Sequence, residues 1–95
     1  MDTSEGSTYM RLWDREMDLA AERRAAHGAL VKAYRLRHVI HPPENIGGHA
    51  YAIWMDAERD RKREMVQGAA RHYREIAKVH AEAKRELDEY VAANA

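Results

Sequence analysis

Histidine is the side chain in this sequence best suited to chemistry near neutral pH, and three of the six histidines flank one short stretch. His38, His41 and His49, with Glu44 between them, offer three imidazoles and a carboxylate, a donor set that suits zinc. Their spacing, His-x-x-His followed eight residues later by a third His, matches no diagnostic metal pattern. The chain also has no Glu-x-x-His pair of the kind that holds di-iron centres in helical bundles. Histidines near a helix end instead suit its last carbonyls, where cations are favoured. Neither a metal nor another cofactor is expected. Catalysis has little else to stand on: there is no cysteine, no glycine-rich phosphate loop and no nucleophile elbow. A non-enzymatic protein is expected.

A second group of polar residues falls where apolar ones belong. At helical spacing, Glu16, Arg23, His27 and His38 project from the apolar face of one helix, and Glu58, Lys62 and His80 from that of another. Long polar side chains can snorkel past a thin core. Alternatively they fix register or partner choice, as polar residues at core positions of coiled coils do.

The third group is basic and aromatic. Nine bases, among them Arg35, Arg37, Arg59, Arg61 and Arg63, share one half of the expected molecule with four acids, a net +5, while the other half holds seven bases and eleven acids. Tyr34, Tyr51 and Trp54 belong to the basic half. Arg, Tyr and Trp are enriched in binding hot spots, so Tyr34, Arg35, Arg37, Tyr51, Trp54, Arg59, Arg61 and Arg63 are the candidate partner-binding residues. Glu58 and Lys62, at i,i+4 in the favourable order, show that part of this charge also solvates a helix.

The elements that position these residues are helices. Ala, Glu, Arg, Leu and Lys make up 48 of 95 residues, a bias toward strong helix formers, and no strand pattern is present. The spacing predicts a polar tail over 1–7, a helix over 8–40 capped by Ser7 or Thr8, a loop over 41–48 and a helix over 49–93. His41-Pro42-Pro43 ends the first helix, and Gly47-Gly48 offers positive-φ turn positions. Tyr9, Leu12, Trp13, Leu19, Ala26, Leu30 and Ala33 share one face, as do Tyr51, Trp54, Met65, Val66, Tyr73, Ile76, Ala83, Leu87 and Val91.

An all-α antiparallel hairpin follows, with residue i opposite 90 minus i. This register groups Tyr34 with Tyr51, Trp54 and Met55, and Trp13 with Tyr73 and Ile76. The helices differ in length, about 50 Å against 68 Å at ~1.5 Å per residue. Either the second overhangs by about a dozen residues, leaving Leu87, Tyr90 and Val91 for oligomerisation, or it kinks at Gly68 toward a three-helix bundle. One hairpin cannot cover two broad apolar stripes, so a dimer is expected.

Sixteen basic and sixteen acidic residues leave no net charge, which argues against generalised binding to nucleic acid or membrane surfaces. The longest apolar run, Ala50 to Met55, is too short to span a bilayer. The polar, acidic first residues do not read as a secretory signal, so a cytoplasmic location is expected. In length and hairpin pattern the chain is similar to the small secreted helical hairpins of type VII systems. Those carry Trp-X-Gly in the turn, whereas Glu44-Asn45-Ile46-Gly47-Gly48-His49 has no Trp, and membership is not inferred. The expectation is a protein-interaction module, with twelve Arg to four Lys and abundant Ala suggesting a GC-rich source and a phage or mobile-element factor that modulates a host protein. The alternatives are a nucleic-acid-associated protein using the basic half and a virion or assembly component.

Overall fold

A computed structural model describes residues 3–95, with side chains from residue 6. Two helices make an antiparallel hairpin 77 Å long and 17 by 16 Å across: α1, Thr3–Leu36, and α2, Gly48–Ala93. No strand occurs among the described residues.

The helix ends differ from the sequence expectation. Instead of a tail over 1–7, α1 already begins at Thr3, and Ser7 and Thr8 lie inside it; Met1 and Asp2 are outside the described residues. At the other end α1 stops at Leu36, four residues before the expected end. Val39 and Ile40 are β-branched and Pro42 has no N–H to donate, so the last turn tightens: Arg37 N–H donates to the Ala33 carbonyl at 3.0 Å and Val39 N–H to that of Leu36 at 3.0 Å. Positive φ falls at Asn45 (58°) and Gly48 (46°), not at Gly47, which is extended and serves as the N-cap of α2.

The helix α2 is unbroken, so the kink at Gly68 and the three-helix bundle do not occur. One Gly lowers helix propensity by about 1 kcal/mol relative to Ala but leaves every backbone bond in place.

Packing follows a heptad. Leu12, Glu16, Leu19, Arg23, Ala26, Leu30 and Ala33 of α1, and Val66, Ala69, Tyr73, Ile76, His80, Ala83, Leu87 and Tyr90 of α2, alternate steps of three and four. Every one of them is half-buried or buried. The fully covered residues are small, Ala26, Ala33 and Ala83, which lets the helices approach closely, and no larger described side chain is fully buried.

The register overturns the sequence reading. Arg15 meets Glu86, Glu16 meets His80, and Arg23 and His27 meet Tyr73, so paired residue numbers total 96 to 101 where a turn centred in the loop required 90. Two turns of slippage have a physical cause. Pro42 and Pro43 extend the connection, which runs past the end of α1 rather than reversing tightly. The free ends of the two helices therefore lie level, and the dozen or so unmatched residues of α2 overhang at the loop end, opposite to the end where Leu87, Tyr90 and Val91 lie. Leu87 and Tyr90 are half-buried against α1, and Val91 is exposed.

Candidate protein-interaction surface

The shifted register decides which candidate residues meet. In the overhang, Trp54, Met55 and Glu58 are half-buried, as are Ile40 and Ile46 of the connection. The end of α1 lies farther along α2, so the connection is the element available to cover them. Tyr51 and Trp54, one turn apart on α2, have ring centroids 6.4 Å apart. Ile53 beside them is the most exposed large apolar side chain of the described residues, at 59%. Tyr34 is not part of this group, contrary to the expected cluster. It lies at the end of the paired region, where the Arg37 guanidinium covers its ring at 4.9 Å. The second expected cluster is also absent: Tyr73 stacks at a tilt on His27, 5.7 Å away, and Trp13 lies about four turns before His27, toward the open end.

Between overhang and paired region lies an open groove of about 370 Å³ with Arg37, His38, Arg59, Lys62 and Arg63 on its walls and Val66 and Gln67 beside them. Arg37 Nε donates to His38 Nε2 at 3.0 Å. Carboxylates take up part of the charge: Lys62 sits 3.7 Å from Glu58, and Arg63 donates to Asp60 at 3.3 Å. Among the described residues Arg37 and Arg59 have no carboxylate partner, although Arg37 contacts His38 and Tyr34, which leaves two cations whose charge an external anion can balance. Arg61 turns instead to Glu58, bonding it through two nitrogens. That hydrogen bond, the largest effect, holds the Glu58 carboxyl below the ordinary glutamate range; desolvation opposes it, and the charges of Arg61 and Lys62 add to it. Arg35 is exposed and does not line the groove.

The eight candidates thus separate into a groove set (Arg37, Arg59, Arg63), a stacked pair (Tyr51, Trp54), the Arg37-covered Tyr34, and two arginines outside both. His38 and Lys62 join the groove although charge and aromatic content alone did not select them. Their interruption of the apolar stripes was the available signal.

The polar residues of the stripes meet at the middle of the paired region. Glu16 and His80 Nε2 are 2.8 Å apart, Arg23 lies 3.4 Å from His80 Nδ1 and from the Tyr73 hydroxyl, and the guanidinium also covers the Tyr73 ring at 5.8 Å. A guanidinium only donates, so Nδ1 accepts, Nε2 carries the proton, and that proton goes to Glu16. One imidazole thereby links an acid and a base of the same helix from across the seam. Among the described residues no group of three or more His, Asp or Glu side chains is placed to hold a metal ion. None of the described helices is long and apolar enough to cross a membrane.

No family model, curated protein or solved structure matches this chain.

Proposed function

We propose that this chain is a non-enzymatic protein-interaction module that works as a homodimer and docks a second protein at its loop-proximal end. The observation that carries this reading is the overhang: the first turns of α2 run beyond α1 and present Tyr51, Ile53 and Trp54 next to a groove with two arginines free of carboxylates. An aromatic and apolar patch rimmed by cations fits a protein surface that offers an apolar side chain beside Asp or Glu. Nucleic acid fits less well, because the five basic side chains of residues 37–63 are interleaved with four acidic ones, two of which pair with Arg61, Lys62 and Arg63.

The test compares the parent with Tyr51→Ala and Arg59→Ala in affinity capture from nuclease-treated lysate, with binding of the captured protein then measured in purified form. At least a tenfold loss for either variant, with helicity unchanged, is the expected result. Equal binding by both variants, or capture abolished by nuclease, rejects the reading.

A further inference from the structure

Four large side chains, Trp13, Met17 and Tyr34 on α1 and Val91 on α2, are left 41 to 47% exposed by the hairpin. Their placement is regular. Trp13 follows Leu12, Met17 follows Glu16 and Tyr34 follows Ala33, and each step of one residue turns a side chain roughly 100° from the seam in the same sense. Val91 follows Tyr90 in the same way on α2, so the four lie on one flank, three of them toward the open end and Tyr34 at the loop end, whereas the opposite flank is bridged by Arg15 and Glu86.

Charge along the same axis is sorted. In the paired region, the half nearer the loop (residues 23–36 and 62–75) has eight basic and two acidic side chains, and the half nearer the open end (residues 3–22 and 76–95) has five basic and nine acidic. This is a net +6 against a net −4, within a chain that is neutral as a whole. Two copies laid flank to flank in the same direction would set +6 against +6. Laid in opposite directions they set +6 against −4 twice. Packed helices are about 8–10 Å apart, within roughly one screening length at physiological salt, so the difference between the two arrangements is felt.

We infer that the apolar flank is covered by a second copy of this chain, running antiparallel, so that two hairpins form a four-helix bundle with the basic half of each against the acidic half of the other. The inference rests on the homodimer of the proposed function and adds the face and the direction. It also has a functional consequence. The two overhangs project past the bundle at opposite ends, so Tyr51 and Trp54 of both copies remain available and the dimer presents two docking surfaces facing away from each other.

The test uses the full chain. Because the sequence has no cysteine, Gln67→Cys gives a single labelling site, on the flank that carries Tyr34 and Arg37 and about eleven residues from the middle of the paired part of α2. In the antiparallel dimer two nitroxides there are offset by about 33 Å along the axis, at ~1.5 Å per residue, whereas a parallel dimer brings them within about two helix diameters, ~20 Å. The expected results are a dimer by sedimentation equilibrium at micromolar concentration, a label distance of about 33 Å or more, a dissociation constant that rises with sodium chloride, and at least tenfold weakening by Met17→Lys with helicity kept. A dimer with a short label distance overturns the direction alone. A dimer indifferent to Met17→Lys overturns the face. A monomer overturns this inference and the homodimer together, while the tip remains testable by the capture experiment.

Discussion

Glu16, Arg23 and His80 interrupt the seam where leucine or alanine would give more apolar burial, and their mutual bonds say what they do there. Each is satisfied by the other helix, so a slip of the helices leaves a part-buried polar group without its partner, at a cost of about 1–3 kcal/mol at most for each group. A double-mutant cycle with Glu16→Ala and His80→Ala is expected to yield a coupling energy of about 0.5–3 kcal/mol in urea unfolding, and additive losses would show that the contact contributes nothing of its own. Replacing Glu16, Arg23 and His80 together by Leu is expected to raise the melting temperature while adding oligomeric species in native mass spectrometry, since an apolar seam has no preferred register. Glu58 makes a prediction about pH. Its carboxyl titrates below its ordinary value of 4.5, so its contacts with Arg61 and Lys62 favour the folded helix above that value and are lost as pH falls through the lowered one. The Trp54 indole resonance is expected to shift below about pH 4.5, and Glu58→Gln to remove that shift.

At the scale of the element, the two helices respond differently to a change of side-chain size. Ala83 is 1% exposed, and a larger residue there must push the helices apart. Ala83→Leu is expected to lower stability by about 1–3 kcal/mol in urea unfolding, despite the larger apolar surface that Leu brings. Gly68 is the reverse case. A Cβ there would meet only an Arg71 nitrogen at 3.9 Å, so Gly68→Ala is expected to stabilise the protein by about 0.5–1 kcal/mol in urea unfolding, with no change in register. A destabilised Gly68→Ala would mean that α2 needs to bend at this point. The existence and direction of both elements were legible in the sequence because Pro42-Pro43 interrupts two long stretches of strong helix formers. Their ends were not: capping by Ser7 or Thr8 and continuation to Ile40 are locally reasonable, yet α1 starts at Thr3, and β-branched residues before the prolines end it at Leu36.

For the whole molecule, length exceeds width by more than fourfold, at 77 Å against 17 Å, and such a rod has little interior. Stability must come from a single seam of small and polar residues, which makes covering the exposed flank valuable. Thermal unfolding is accordingly expected to depend on protein concentration, with the melting temperature rising as the chain is concentrated from micromolar upward, because association stabilises the folded state by mass action. A melting temperature independent of concentration would mean that the hairpin is stable alone.

The sequence by itself determined the fold class, the hairpin and much of the seam, because helix propensity, prolines and three-four spacing are local properties that survive any register, although Tyr9, Trp13, Tyr51 and Val91 of the expected apolar faces are exposed. It also singled out the polar interruptions Glu16, Arg23 and His80, since a charged residue in an apolar stripe is visible without knowing its partner. Only the tertiary structure decided that these three meet, that Tyr34 and Trp54 do not, and that the overhang lies at the loop end rather than beside Leu87 and Val91. The physical reason is that register is a property of two helices and their connection together. A heptad repeats every seven residues and fits several alignments almost equally well, and the extended Pro42-Pro43 connection and the central polar bonds select among them.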